Sequence, residues 1–144
     1  MNTDPLLIAA AAARNKAHAP FSNFKVGAAV QALDGIIYTG CNVESASYGL
    51  TICAERVAIT KAISEGARRF SRIAVYCETD ELTPPCGACR QLLWELAGNI
   101  EVCLFNHKKQ MVAYMLADLL PLPFDARLLQ KPPGSSGSRP GLPN

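Results

Sequence analysis

The residues of this sequence best suited to chemistry are three cysteines and one glutamate, placed in two short motifs. One motif is Cys53-Ala54-Glu55, and the other is Pro85-Cys86-Gly87-Ala88-Cys89. Each motif stands at the predicted start of a helix, where partial positive charge and unpaired N–H groups stabilise thiolates. Cys86 and Cys89 are three residues apart, so they share one face of a helical turn and can bind a single ion together.

Three cysteine ligands leave the fourth tetrahedral position of a zinc ion to water, which is typical of catalytic rather than structural zinc sites. Zinc lowers the pKa of such a water to near neutral. Glu55 follows its neighbouring ligand by two residues and is a candidate to take that proton and deliver it to a leaving group. We therefore predict a hydrolytic enzyme with Cys53, Cys86 and Cys89 as zinc ligands and Glu55 as the general acid and base.

Two arginines directly follow motif residues, at positions 56 and 90. Three thiolates on Zn²⁺ leave a formal charge of minus one, which weakens the pull of the metal on water. We expect Arg56 and Arg90 to lie in the layer around the ligands, with Arg56 donating hydrogen bonds to thiolate sulfurs and offsetting their charge.

Other interpretations of the cysteines exist. A lone Cys-x-x-Cys can be a redox pair or half of a structural zinc site, and a structural site would need a fourth ligand from Cys41, Cys77 or Cys103. Those three fall in predicted strands, where buried core thiols are the expected role. A redox pair would leave Cys53 and Glu55 unexplained. His18 and His107 have no such partners and are expected in loops or at the surface.

The elements that must position these motifs are predicted from periodicity and from capping residues. The helices are predicted at residues 5–16 with Asp4 as N-cap, 53–65 with Thr51 as N-cap, 86–97, and a short turn at 116–120. The strands are predicted at residues 25–33, 36–41, 72–77, 100–105 and 111–114. The first two strands form a hairpin across Asp34-Gly35. Strands alternating with helices indicate an α/β sandwich, and the hairpin makes its sheet of about five strands mixed.

Length and composition limit the class of protein. The chain has 144 residues, 49% of them hydrophobic and 18% charged, which fits one globular domain over residues 1–130. Residues 131–144 are rich in Pro, Gly and Ser and are expected to be a disordered tail. The 14 basic residues exceed the 12 acidic ones only through Lys131 and Arg139 in that tail. A neutral domain favours a small substrate over nucleic acid.

No membrane span or secretion signal is expected. The longest apolar run near the start, residues 6–13, is far shorter than the roughly 20 residues of a span and follows Asp4 rather than positive charge. We therefore expect a cytoplasmic protein without membrane contact, in which the six cysteines are thiols or metal ligands.

Four segments of the chain resemble the small, homotetrameric, zinc-dependent cytidine deaminases. Paired Cys-x-Glu and Pro-Cys-x-x-Cys motifs mark zinc deaminases in general. The resemblance continues to about Phe124 and is carried by residues 20–29 (PFSNFKVGAA), 40–44 (GCNVE), 53–56 (CAER) and 85–91 (PCGACRQ). It implies a three-layer α/β/α sandwich, one zinc ion per subunit, and a homotetramer with shared active sites. It also implies hydrolysis of free cytidine or deoxycytidine to the uracil nucleoside and ammonia, in pyrimidine salvage.

The resemblance also implies roles for substrate-binding residues. Phe24 would pack against the pyrimidine, Ala54 would offer its N–H to the base carbonyl, and Glu55 would contact N3. Asn42 and Glu44 would bind the ribose 3′-hydroxyl. Phe124 would reach the site of a neighbouring subunit, and Tyr48 would lie near that shared site.

Two positions depart from the family pattern, and two other functions compete. Members often have Asn at the position of Ser45 and Tyr at that of Phe21, and Ser45 neighbours the ribose-binding segment, so this departure bears on sugar preference rather than on the reaction. One competitor is a deaminase of nucleic-acid bases, nucleotides or nucleoside antibiotics; nucleic-acid editors usually have His in the first motif and need a basic track. The other is a non-catalytic binding module with a closed zinc site.

Overall fold

A single five-stranded sheet forms the centre of the molecule. The computed structural model describes residues 3–129. The strands are β1 (Val26–Ala32), β2 (Ile37–Cys41), β3 (Phe70–Cys77), β4 (Glu101–Asn106) and β5 (Met111–Met115). Their order in the sheet is β2-β1-β3-β4-β5. Only β3 and β4 run parallel, so the predicted mixed sheet is confirmed.

Helices cover both faces of this sheet. They are α1 (Pro5–Arg14), α2 (Ala54–Ser64), α3 (Gly87–Ala97) and the short α4 (Leu116–Leu119), with 3₁₀ turns at Tyr48–Leu50 and Ala126–Leu129. Alternation along β1 divides the core: Ala28 packs with α2 on one face, and Ala29 packs with α1 on the other. The three-layer α/β/α sandwich is therefore confirmed.

Small residues let the helices approach the sheet closely. A Cβ placed on Gly40 of β2 would lie 2.5 Å from the carbonyl oxygen of Ala54 and 2.5 Å from the nitrogen of Ala58. Gly27 of β1 has a similar close approach to Ala10 of α1. Only glycine leaves this space free, so Gly40 sets how near the first turn of α2 lies to the sheet.

Several predicted boundaries differ from those observed. The first helix ends at Arg14 rather than at Lys16 because the N–H groups of Lys16 and Ala17 bond three residues back, which tightens the last turn. Its predicted cap is confirmed, with the Leu6 N–H donating to Asp4 Oδ1 at 3.0 Å. Strand β3 begins at Phe70, two residues earlier than predicted, because Phe70 pairs with Ala32 beyond a β-bulge.

The predicted N-cap of α2 was wrong. Cys53, not Thr51, occupies the N-cap position, and Thr51 instead ends the preceding 3₁₀ turn. The Thr51 hydroxyl accepts a hydrogen bond from the Ser45 N–H at 3.0 Å, which takes it away from the helix. Cys86 likewise caps α3 rather than lying within its first turn.

The described residues contain no helix with the length and apolar character of a membrane span. The predicted tail over residues 131–144, and the predicted domain limit at residue 130, lie outside the described part of the chain.

Candidate metal centre and active site

Three cysteine sulfurs meet where α2 and α3 begin. Cys53 precedes the first residue of α2, Cys86 precedes that of α3, and Cys89 lies in the first turn of α3. The Sγ atoms of Cys53 and Cys86 are 3.9 Å apart, and those of Cys86 and Cys89 are 3.4 Å apart. These separations are far longer than a disulfide bond, so all three residues are free thiols.

The sulfur geometry fits a tetrahedral zinc ion. Zn–S bonds of about 2.3 Å at tetrahedral angles place neighbouring sulfurs about 3.8 Å apart. The three ligand atoms all lie within 4.8 Å of one another. Within residues 3–129 this is the one group of three or more Cys, His, Asp or Glu side chains with such spacing. It supplies three ligands, as a catalytic zinc site does.

Electrostatic contacts favour a thiolate at Cys53. Its pKa falls to about 5, chiefly because its sulfur shares a hydrogen bond with the Cys89 thiol, and further because of Arg56. The Arg56 Nη2 atom lies 3.6 Å from Cys53 Sγ and also donates to the Thr51 carbonyl at 3.1 Å. The pKa of Cys89 is raised by that same contact with Cys53 and by burial. A negative charge at Cys53 is thus favoured by its cationic partner Arg56.

Glu55 is buried next to the sulfurs. Glu55 is only 5% exposed, although it lies in the first turn of α2. Burial raises the pKa of this carboxyl group, and the negative charge at Cys53 raises it further. A carboxyl group with a raised pKa exchanges protons more readily near neutral pH, as a general acid and base must.

A cavity of about 200 Å³, called the inner cavity below, has Glu55, Cys53 and Cys86 in its wall. Its walls combine the metal-binding end with apolar side chains, and they are formed by Phe24, Val26, Asn42, Thr51, Cys53, Ala54, Glu55, Thr83, Pro84 and Cys86. Ala54 is the first residue of α2, where helix N–H groups have no intrahelical acceptor. The cavity therefore presents the Phe24 side chain, the N-terminal end of α2 at Ala54 and the Glu55 carboxyl group to a small ligand.

A second depression of about 350 Å³ shares one lining residue, Thr51, with the first cavity. Its lining is more polar and includes Phe21, Ser22, Glu44, Ser45 and Tyr48. Ser45 and Phe21, the two positions that depart from the family pattern, both fall here. Any consequence of those departures therefore concerns this outer part of the site rather than the metal-binding end.

Asn42 and Glu44 both hold the loop that carries Phe24. The Asn42 amide accepts from the Val26 N–H at 2.9 Å and donates to the Phe24 carbonyl at 2.7 Å. Glu44 Oε1 accepts from the backbone N–H groups of Phe21 and Ser22 at 3.0 and 3.1 Å. The Ser22 hydroxyl also donates to Glu44 and lowers the pKa of its carboxyl group. These bonds use one N–H and one lone pair of the Asn42 amide and three acceptor positions of the Glu44 carboxylate, so both side chains have hydrogen-bonding capacity left.

Tyr48 and Phe124 lie away from the metal-binding end. Tyr48 lines the outer depression and is 79% exposed. Phe124 is 51% exposed and lines neither cavity, although its backbone is fixed by Gln91, which donates to its carbonyl at 2.6 Å and accepts from its N–H at 3.2 Å. Within one subunit, then, the structure does not bring Phe124 to Glu55.

Arg90 donates hydrogen bonds to two backbone carbonyls near the site. Its Nε donates to the Pro85 carbonyl at 2.8 Å, and its Nη1 donates to the Leu119 carbonyl at 2.7 Å. It therefore fixes the chain just before Cys86 and links α3 to α4.

Three residues of the cavity walls were not among the predicted site residues. Thr83 and Pro84 line the inner cavity, and Thr51 lines both the inner cavity and the outer depression. Proximity to Pro85 was the one signal that could have pointed to Thr83 and Pro84.

Comparison with known proteins agrees with this geometry. A family model described as the cytidine and deoxycytidylate deaminase zinc-binding region matches residues 1–105. The chain is 44% identical over 122 residues to a cytidine deaminase of Sporosarcina psychrophila, covering 84% of this chain and 90% of that protein. It is 45% identical over 127 residues to a cytidine deaminase of Halalkalibacterium halodurans, covering 88% and 96%.

Solved structures show the same fold. The crystal structure of a cytidine deaminase from Burkholderia pseudomallei superposes with a TM-score of 0.82 at 50% identity, covering 86% of this chain and all of that one. That of Mycobacterium leprae gives 0.71 at 39% identity, covering 85% and 99%. Because the family model covers residues 1–105, including both cysteine motifs, and relatives of 44–45% identity match most of its length, this chain belongs to the cytidine and deoxycytidylate deaminase zinc-binding family.

Proposed function

We propose that the protein hydrolyses free cytidine, and deoxycytidine, to uridine or deoxyuridine and ammonia. One observation carries the proposal: the buried Glu55 carboxyl group lines a small cavity together with the sulfur-bearing Cys53 and Cys86. Relatives that cover most of this chain are named cytidine deaminases, which supports the same substrate.

The cysteines, Glu55 and Arg56 have different roles in the proposed reaction. Cys53, Cys86 and Cys89 would hold one zinc ion per subunit, which when bound supplies a Lewis acid that lowers the pKa of water. Glu55 takes a proton from the attacking water and passes it to N3; it then takes the remaining proton of the hydroxyl group formed at C4 and delivers it to the departing amino group. Water thereby provides the oxygen at C4, and the C4–N bond breaks with release of ammonia. Arg56 offsets negative charge at the sulfurs through its contact with Cys53.

The cavity walls would orient the nucleoside. Phe24 packs against the base, and the Ala54 N–H donates to the base carbonyl. The ribose lies toward the outer depression, where Asn42 and Glu44 use their remaining polar positions on its 3′-hydroxyl. Support comes from Thr51, which lines both the cavity and the outer depression.

The working enzyme is proposed to be a homotetramer with shared sites. Tyr48 and Phe124 are exposed aromatic residues, which are enriched in protein interfaces. In the assembly, Phe124 of one subunit would reach the site of the next. Residues 1–130 form the catalytic domain, and the tail takes no part. A cytoplasmic role in pyrimidine salvage agrees with six cysteines that are all free thiols.

An ultraviolet assay tests the function directly. Purified protein with measured zinc content is incubated with cytidine, and absorbance loss and ammonia release are followed together. We expect turnover of cytidine and deoxycytidine, and none of cytosines in single-stranded DNA. Removal of zinc by a chelator should abolish turnover, and re-addition should restore it. Zinc-replete protein that releases no ammonia from either nucleoside would refute the proposal.

A further inference from the structure

Asn106, at the end of β4, has an almost completely buried and fully used amide side chain. The residue is 3% exposed. Its Nδ2 donates to Gln110 Oε1 at 2.7 Å, to the Thr79 carbonyl at 2.9 Å and to the Asp80 carbonyl at 3.4 Å. Its Oδ1 accepts from the backbone N–H groups of Lys108 and Gln110, both at 3.1 Å. One side chain thus joins the turn between β4 and β5 to the segment that follows β3.

That segment, residues 78–86, leads to the inner cavity. The Thr79 hydroxyl donates to the Glu81 carbonyl at 2.6 Å and lies 3.2 Å from the Thr83 hydroxyl. Thr83 and Pro84 form part of the cavity wall. Asn106 is therefore connected to the cavity wall through a single intervening residue, Thr79.

The segment needs such support because it has no regular secondary structure. Its far end is held by the Pro85 carbonyl, which accepts from Arg90, and by Cys86, which caps α3. Leu82 packs in part against the main core. At the near end, Glu78 pairs with Arg14 at 3.2 Å and Asp80 with Lys108 at 3.0 Å, but both pairs involve exposed side chains and such pairs contribute little. The buried contacts at this end are the hydrogen bonds from the Asn106 amide to the carbonyls of Thr79 and Asp80. Irregular segments with few such bonds open locally at low free-energy cost.

We propose that Asn106 is a positioning residue for the substrate cavity. It touches neither substrate nor metal, and it acts by holding residues 78–81 so that Thr83 and Pro84 stay in the wall. This role rests on the proposed nucleoside deamination at that cavity. Glu55 and Cys53 belong to α2 and its cap and do not depend on the segment. Loss of the Asn106 bonds should therefore weaken substrate binding more than the chemical step.

The test compares Asn106→Asp with Gln110→Ala. The aspartate keeps the shape and the acceptor oxygen, but it places a second oxygen against the carbonyls that Nδ2 now donates to, while Gln110→Ala removes only the partner within the turn. For Asn106→Asp we expect the KM for cytidine to rise at least about tenfold, because these buried hydrogen bonds are lost and replaced by repulsion between acceptor oxygens, with kcat within about twofold. Zinc content should be unchanged. Gln110→Ala should match the wild type in KM, kcat and zinc content.

Amide hydrogen exchange tests the positioning role of Asn106 independently of the proposed deaminase activity. Exchange over residues 78–86 should accelerate in Asn106→Asp but not in Gln110→Ala, whatever the substrate proves to be. Failure of the wild type to deaminate cytidine would refute the function alone. Unchanged exchange in residues 78–86, or a fall in kcat at constant KM, would overturn the positioning role.

If Asn106→Asp does not fold, Thr79→Val tests the same connection from the other side. It removes the hydroxyl between Glu81 and Thr83 while keeping the size of the side chain. The same rise in KM and the same faster exchange are expected. Wild-type values for both would refute the connection.

Discussion

At the scale of single residues, the site depends on placing a carboxyl group and thiolates in a small buried space. Burial raises the pKa of Glu55, whereas contacts with Cys89 and Arg56 lower the pKa of Cys53 to about 5. The same packing therefore keeps a proton available at the carboxyl group and removes one from the thiol. Both effects require tertiary contacts and do not arise from residue type alone.

Glu55→Gln should keep the fold and the zinc ion but lose most turnover. General acid–base groups typically contribute on the order of 10² to 10⁴ in rate, and this one is proposed to serve several proton transfers. The loss should thus lie at or beyond the upper end, measured as kcat on zinc-replete protein. Glu65→Gln, an exposed substitution at the far end of α2, is the matched control and should be active. Turnover close to wild type in the Glu55 variant would remove the glutamate from the mechanism.

The six cysteines should separate into two groups when each is replaced by alanine. Variants at Cys53, Cys86 and Cys89 should lose most of their zinc, as measured by metal analysis of purified protein, because their sulfurs lie within 4.8 Å of one another. Cys41, Cys77 and Cys103 lie in strands, and variants at these positions should retain it. Loss of zinc in one of the strand variants would mean a closed, four-cysteine structural site.

At the scale of elements, the site is formed where two helices start against the sheet. Gly40 of β2 lets the first turn of α2 approach, and Arg90 links α3 to the chain before Cys86. The two motifs are brought together by helix–sheet packing, so changes outside the motifs should affect the metal centre.

Gly40→Ala should disturb the metal centre without changing any ligand. The new methyl group would lie 2.5 Å from backbone atoms of α2, so the first turn must shift or the strand must bend. We expect a loss of stability of about 1–3 kcal/mol, typical of overpacking, together with weaker zinc retention. Urea unfolding and metal analysis measure the two effects. Gly49→Ala, where a Cβ meets nothing within 4 Å, is the control. Equal zinc retention in both variants would mean that α2 adjusts independently of its ligand.

A pH-dependent contribution to stability is expected where α1 meets β3. The Arg72 guanidinium donates to both Asp4 carboxylate oxygens and holds the pKa of Asp4 below its ordinary value. A lowered carboxyl pKa stabilises the fold fully above the ordinary value near 3.8 and progressively less as pH falls through the lowered one. Asp4→Asn keeps a capping side chain but loses the charge.

The Asp4→Asn variant should therefore be less stable than the wild type by about 1 kcal/mol at pH 7, and the difference should shrink steadily as the pH falls below the ordinary carboxyl pKa. Urea unfolding across this range measures it. A difference that stays constant with pH would assign the loss to the cap rather than to the ion pair.

For the whole molecule, the proposed role of Phe124 requires an assembly of several chains. Within one subunit Phe124 is half exposed and lines neither cavity, while Tyr48 is almost fully exposed. If the proposed shared site is correct, each site takes Glu55 from one chain and the ring of Phe124 from another.

Mixed assemblies test this arrangement. Phe124→Ala alone should weaken cytidine binding through the lost ring contact. A Glu55→Gln chain still supplies Phe124, and a Phe124→Ala chain still supplies Glu55, so their co-assembly creates some sites with both. Activity at low cytidine should exceed the sum of the separate parents. Stable mixed oligomers with only additive activity would refute the shared site.

Local features of this chain were predictable because they depend on residues a few positions apart. Asp4 caps α1, the hairpin turns at Asp34-Gly35, and the sulfurs of Cys86 and Cys89 lie 3.4 Å apart where α3 begins, as expected from spacing. The two zinc motifs and their glutamate were likewise evident from the sequence and its family resemblance. Helix ends were predicted less exactly. Thr51, the predicted N-cap of α2, instead accepts a hydrogen bond from the Ser45 N–H.

Tertiary packing determines which distant groups meet and how deeply they are buried. Cys53 reaches Cys86 across 33 residues because α2 and α3 begin at the same end of the sandwich. Asn42 bonds to the backbone of Phe24 and Val26, and Asn106 to that of Thr79, although neither asparagine had a sequence signal for such bonds. Burial and long-range hydrogen bonds depend on the packing of every layer at once, whereas caps, turns and ligand spacing depend only on the nearby chain.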